Sequence, residues 1–266
     1  VDITGRKVLQ SLENARVKYN HSMFSGGTLY TMGASNEKGA ICSKISLSNR
    51  MFPARSENTE QIIDLEGASG NCVDIIGSTL MAASSGNGGG FSLVFPEKGE
   101  SVLFQPASDA KYIYAGDKWL VTLSQDGRGT VKVYDAARIR QGLTPDLARS
   151  IETRSLVPDR GKNVVICDDE NVYVCMGNNG LGAYSLTTGE EIAHYDVEQV
   201  NGVDIDGKYL YLANGFGVTV LNKADLSYVS SFTDADASAN YVRKGEDGFI
   251  YVAYGTSGLR IFTLTD

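Results

Sequence analysis

Two runs of this chain are copies of one another. Residues 71–84 read NCVDIIGSTLMAAS and residues 201–214 read NGVDIDGKYLYLAN. The second copy opens a stretch, 201–232, that reads as four short strands in succession. Val203 and Ile205 flank Asp204 in apolar–polar alternation, and Asp206-Gly207 is a tight-turn pair, because glycine tolerates the positive φ such a turn needs. Residues 209–213 return and the run Asn214-Gly215-Phe216-Gly217 turns again. Residues 218–221 form a third strand rich in β-branched side chains, and residues 228–232 a fourth. Four antiparallel strands in roughly 35 residues make a meander that cannot bury its own faces. It needs copies of itself as neighbours.

The rest of the chain supplies them. Units of the same kind begin near positions 20, 71, 109, 163, 201 and 240. The first carries a polar insertion at 49–60. The third carries another at 136–147, whose start can form a short helical turn that Pro145 would stop. The sixth, 240–264, ends after three strands, and residues 7–12 align with the outer strand it lacks. The expected fold is all-β: a single six-bladed β-propeller domain over residues 1–266 with four antiparallel strands per blade. The N-terminal strand completes the C-terminal blade and closes the ring, and five or seven blades are the alternatives. Six blades give roughly 44 residues each, a usual length for such repeats.

Composition narrows the function classes. Thirty glycines and fourteen tyrosines suit a turn-rich β protein. Net charge is −8, from 24 basic and 32 acidic residues, with no basic cluster, so nucleic acid is not expected as a partner. No apolar run reaches about 18 residues, so no transmembrane segment is expected, and Val1 opens no signal-peptide pattern. Cys42, Cys72, Cys167 and Cys175 include no CxxC pair, and there are only two histidines; no metal and no cofactor is expected. A turn at Asp168-Asp169 leaves Cys167 and Cys175 out of register for a disulfide, so all four read as free, buried cysteines.

The run Val-Asp-Ile-x-Gly-x-x-Leu-x-x-Ala at 203–213, its partial copy at 73–83, and the third-strand segments 258–261 and 180–184 resemble those of the LVIVD-repeat propellers, a group of bacterial, mostly exported repeat proteins. The resemblance implies a propeller and an extracellular, periplasmic or cell-surface location. It implies no single activity. The turn at 185–190 is similar to those of quinoprotein propellers, but these carry a tryptophan in nearly every blade and this chain has only Trp119, so no quinone cofactor is carried over.

One position recurs. Asn20, Asn71, Asn163, Asn201 and Asn240 each precede the first strand of a unit, at intervals of 51, 92, 38 and 39, the second being about two units; the third unit offers Asp109 or Lys111. First strands of a propeller line its central channel, so these side chains, with His21 beside Asn20, would ring one channel mouth. Two readings are open. Each asparagine can cap its own turn, or the ring can be a polar ligand cup whose amides offer both donors and acceptors to a sugar. No nucleophile motif accompanies His21, and the acidic pairs Asp168-Asp169, Glu190-Glu191 and Glu246-Asp247 fall in expected turns. The expected function is a non-catalytic, monomeric binding scaffold for a protein or glycan. The competing class is a propeller hydrolase or lyase with its site at the central channel.

Overall fold

The structure, a computed structural model, describes residues 14–47, 60–107, 109–159, 163–233 and 237–264. The chain falls into two compact units, Val1–Ala110 and Lys111–Asp266. The expected outer strand at 7–12 and most of the insertion at 49–60 lie outside the described residues.

Unit 1 holds two four-stranded antiparallel sheets, each in simple sequence order. The first comprises β1 (Val17–Ser25), β2 (Thr28–Ser35), β3 (Gly39–Ser46) and β4 (Glu60–Asp64). The second comprises β5 (Ser69–Ile76), β6 (Thr79–Ser85), β7 (Gly90–Phe95) and β8 (Glu100–Pro106). Unit 2 continues with β9 (Ala110–Ala115), β10 (Trp119–Ser124), β11 (Thr130–Asp135) and β12 (Leu147–Glu152). Next come β13 (Val165–Cys167), β14 (Asn171–Cys175), β15 (Leu181–Ser185) and β16 (Glu191–Tyr195). The organising repeat is β17 (Gly202–Ile205), β18 (Tyr209–Asn214), β19 (Gly217–Asn222) and β20 (Tyr228–Thr233). A three-stranded sheet of β21 (Tyr241–Lys244), β22 (Ile250–Ala253) and β23 (Leu259–Phe262) ends the series. Six consecutive meanders are the six blades of a β-propeller.

Burial explains why these strands form. The second and third strands are almost continuously buried, as in β18 and β19, because both sheet faces pack against apolar side chains. In unit 1, Met32, Cys42 and Ile63 of one blade pack with Val73, Leu80 and Val94 of the next. In unit 2, Tyr211, Val218 and Val220 pack with Val242, Ile250 and Val252. Fourth strands are largely exposed, and in four blades the pairing of third and fourth strand slips by one residue. The slip leaves Phe104, Ala148, Ile192 and Val229 without a cross-strand partner in the ladder. A bulge there adds right-handed twist at the outer edge, and it accounts for the exposure of Ile192 and Val229.

The helical turn and the third unit's outer strand differ in detail from the sequence expectation, and the cysteines agree with it. The insertion at 136–147 does form a helical turn, α1 (Ala136–Arg140), capped by the Asp135 carboxylate accepting from Ala137 N at 2.8 Å. It ends before Pro145: the chain leaves the helix through Gln141 and Gly142, the latter at φ +71°. The fourth strand that the six-bladed reading requires of the third unit, β12, follows the insertion at residues to which the sequence assigns no strand, because its exposed positions mask the alternation. All four cysteines are free and buried, and Cys167 pairs with Val172, not with Cys175.

Candidate functional site

Three of the recurring asparagines bridge blades; Asn201 and Asn240 directly precede β17 and β21 as expected, but Asn20 and Asn71 lie inside β1 and β5, each at the unpaired position of a bulge. Asn20 Nδ2 donates to Gly70 O at 2.9 Å and Ser69 Oγ at 3.1 Å, immediately before Asn71. Asn71 Nδ2 donates to Ala110 O at 2.6 Å and Ser85 Oγ at 3.0 Å. Asn201 Nδ2 donates to Ala239 O at 2.8 Å and Ser238 Oγ at 3.3 Å, immediately before Asn240. Both N–H groups of each amide are thereby engaged. Each side chain holds the lead-in of the next blade instead of capping its own turn. Lys111 stands in the same place in the third blade, and its Nζ donates to Asp159 O at 2.8 Å. Asn163 departs: it is buried and donates to Pro158 O at 2.6 Å. His21 Nδ1 accepts from Val73 N at 3.4 Å, a further link to the following blade. Asn240 is half-buried beside Gly255. What Asn20 and Asn201 can offer a ligand is therefore the amide oxygen, not the donor–acceptor pair a sugar hydroxyl uses, and the Asn71 oxygen already accepts from Ser69 Oγ at 3.3 Å.

The other end of the first strands in unit 2 is concave. A pocket of about 540 Å³ runs across three successive blades, lined by the turns after β9, β13 and β17 and by Lys223. Its polar wall comprises Asp117, Asp168, Asp169, Glu170 and Asp206 opposite Lys223, with Tyr114 at the inner edge. Two of these carboxylates build their own turns. Asp168 Oδ1 accepts from Glu170 N and Asn171 N, and its Oδ2 lies 3.1 Å from Lys223 Nζ. Asp206 Oδ1 accepts from Lys208 N and Tyr209 N, and its Oδ2 accepts from Tyr211 Oη at 2.5 Å. The same lock recurs as Tyr173 on Asp168 and Tyr251 on Asp247. By contrast, the carboxylates of Asp117, Asp169 and Glu170 have no donor among the described residues, and these residues are exposed. Among the described residues, no group of three or more His, Cys, Asp or Glu is placed to hold a metal ion.

The locks have a pH signature. Burial works against ionised Asp206, but the Tyr211 hydroxyl and the Lys208 and Tyr209 amides outweigh it and hold the carboxyl below its usual range. Burial likewise opposes ionised Asp168, and the Asn171 and Glu170 amides with Lys223 outweigh it. A folded-state value below the unfolded one means the stabilisation is present above pH ~4 and is lost as pH falls through the folded value. Tyr211→Phe is expected to cost about 1.5–3 kcal/mol at pH 7, as for a hydrogen bond to a charged group. Urea melts from pH 7 to 3 check this: the gap between wild type and variant narrows as Asp206 protonates.

Behind the pocket, the first strands of unit 2 converge. Tyr112 and Tyr241, from β9 and β21, bring their hydroxyls to 3.3 Å. Asp204 on β17 is buried; its Oδ2 accepts from Lys244 N at 2.6 Å and its Oδ1 lies 3.5 Å from Arg243 Nη1. Burial pushes the Asp204 carboxyl up, and Arg243 with the Lys244 and Ile205 amides only partly offsets it.

This geometry was compared with known proteins. The WD40 beta propeller domain of Doa1 matches with a TM-score of 0.67, covering 93% of this chain and 79% of that one at 13% identity. The fold is a β-propeller. The computationally designed Ika8 protein matches at a TM-score of 0.52, covering 96% of this chain and 98% of its own at 10% identity. At such identities the likeness is one of fold alone. No protein-family model matches the chain, and no curated protein matches it. The LVIVD-repeat resemblance therefore rests on the repeat residues themselves. No helix among the described residues is long and apolar enough to cross a membrane, which says nothing of a β-barrel.

Proposed function

We propose that this propeller is a non-catalytic, monomeric binding scaffold whose docking surface is the hairpin-turn end of unit 2. One observation carries the reading: a pocket of about 540 Å³ crosses three blades and presents three carboxylates that no group among the described residues neutralises. Rigid strands on either side of each turn hold these groups in place, as a recognition surface requires. Their chemistry selects a basic protein segment over a glycan, and the chain's net charge of −8 would speed its approach. The asparagine end is the structural side of the same proposal, since its donors tie one blade to the next. An exported location and a bacterial source belong to this reading through the repeat resemblance alone.

Fluorescence polarisation with an acetylated, amidated hexapeptide of alternating Lys and Gly tests it. The double reversal Asp169→Lys/Glu170→Lys should weaken binding about tenfold or more, equivalent to about 1.4 kcal/mol. Glu37→Lys, an exposed reversal in unit 1, should change it less than about twofold. Equal losses in both would show that overall charge, not this pocket, attracts the peptide.

A further inference from the structure

We propose that Arg243 is a carboxylate-binding residue, so that the ligand of the turn end carries a free carboxylate beside its cationic group. The inference rests on the docking surface proposed above and names what that surface recognises.

Arg243 is underused by the protein. Its contact with Asp204 is a single Nη1–Oδ1 approach at 3.5 Å, long for a charge-assisted pair, and its guanidinium has no other hydrogen bond among the described residues. Most of the five-donor fork is thus available. The side chain is 61% exposed while that of Asp204 is 6% exposed. Burial is nevertheless the largest influence on Arg243, working against its charge before Asp204 restores it. The guanidinium thus faces water beside a buried carboxylate.

Strand register places the guanidinium. Tyr112 and Tyr241 meet through their hydroxyls, and strand alternation puts Tyr114 and Arg243 two residues further along the same faces. Both therefore lie on the turn side of the tyrosine contact. Tyr114 lines the 540 Å³ pocket, and so do Ile205 and Asp206, the two residues that follow Asp204, so Arg243 borders the pocket's lining residues without being one of them. The buried Asp204 carboxylate is engaged by the Lys244 amide and faces Arg243; it is a positioning residue that holds the fork in place.

Charge then selects the ligand. A simple anion must pass Asp117, Asp169 and Glu170, and a simple cation must meet Arg243 and Lys223. A carboxylate trailed by an ammonium or guanidinium satisfies both, and its planar oxygens match the fork in a way lysine's point charge does not. A basic peptide's C-terminus and a free basic amino acid share this chemistry.

Isothermal titration of the whole chain with acetyl-Gly-Lys-Gly as free acid and as amide, with L-lysine, and with acetate separates the cases. The free acid should bind about 10- to 100-fold tighter than the amide, the range for hydrogen bonds to a charged group. Arg243→Lys, which keeps the charge beside Asp204, should erase that difference and leave the amide's affinity unchanged. L-Lysine binding that is lost in Arg243→Lys makes a free amino acid the source; binding of the peptide acid alone makes it a chain terminus. Equal binding of acid and amide to the wild type, or a difference that survives Arg243→Lys, overturns the assignment while leaving the docking surface intact. Failure of every cationic probe to bind the wild type overturns both. The wild-type comparison decides the matter even if the variant folds poorly.

Discussion

Ile250→Ala is expected to destabilise the protein by about 2–5 kcal/mol, the range for emptying a well-packed aliphatic site. Ile250 is 3% exposed and packs among Tyr211, Val218, Val220, Val242 and Tyr254, side chains of two successive blades in unit 2. Neither blade can refill the space alone, because their β-strands are held by ladders on both sides. Ile250→Val removes one methylene and should cost only about 0.5–1.5 kcal/mol. Urea melts check the pair: midpoints fall in that order at constant slope, as expected when stability changes and the unfolded state does not. Equal costs for the two variants would mean that the site relaxes and the blades are not rigidly packed.

The second large effect is expected at Gly217, where the chain turns from β18 into β19. Its φ is +147°, and an added Cβ would stand 2.0 Å from Phe232 O and 3.0 Å from Thr233 Cα. Both belong to the β19–β20 pairing, in which Gly217 faces Thr233. Gly217→Ala therefore combines backbone strain of about 1–3 kcal/mol with overpacking of similar size. Relief requires opening the outer strand. Hydrogen exchange should accelerate across β20, and the melting temperature should fall by about 2–4 °C for each kcal/mol lost. Gly207→Ala is the control: nothing lies within 4 Å of its Cβ position, so it should shift stability by less than about 0.5 kcal/mol. A harmless Gly217→Ala would mean that β20 is not held in this register.

The sequence made the meanders legible because turn chemistry and alternation agree at each step. Asp206-Gly207 and the NGFG turn sit where the structure turns, but Gly207 does not adopt the expected positive φ, because the Asp206 carboxylate holds the turn by accepting from Lys208 N and Tyr209 N. Val203, Leu210 and Val220 are buried as the pattern requires. Outer strands were harder. β12 reads LARSIE, with Arg149 reaching Leu186 O and Thr188 O on the next blade, so a strand position looks like surface charge. The bulges at Ile192 and Val229 depend on twist accumulated over the whole blade, which no local pattern encodes. The recurrence of asparagine was visible, but its partner was not. An Asn at a strand entry suits a local cap and a bridge equally well, and only the position of Gly70, Ala110 and Ala239 decides between them. The Asp–Tyr locks could have been found from their spacing: Asp168 and Tyr173, and Asp206 and Tyr211, are both five residues apart. The pocket had no such signal, because it joins turns from three blades, and Arg243 meets Asp204 across 39 positions.

The account's central claim is that ligands dock at the turn end of unit 2 while the asparagine end serves the fold. Hydrogen-exchange mass spectrometry, with and without saturating basic peptide, tests this most directly. Protection confined to the turns around 116–118, 168–170 and 206–208 is the predicted result. Protection around Asn71, Asn201 and Asn240, with those turns unchanged, would contradict it and return the binding surface to the asparagines.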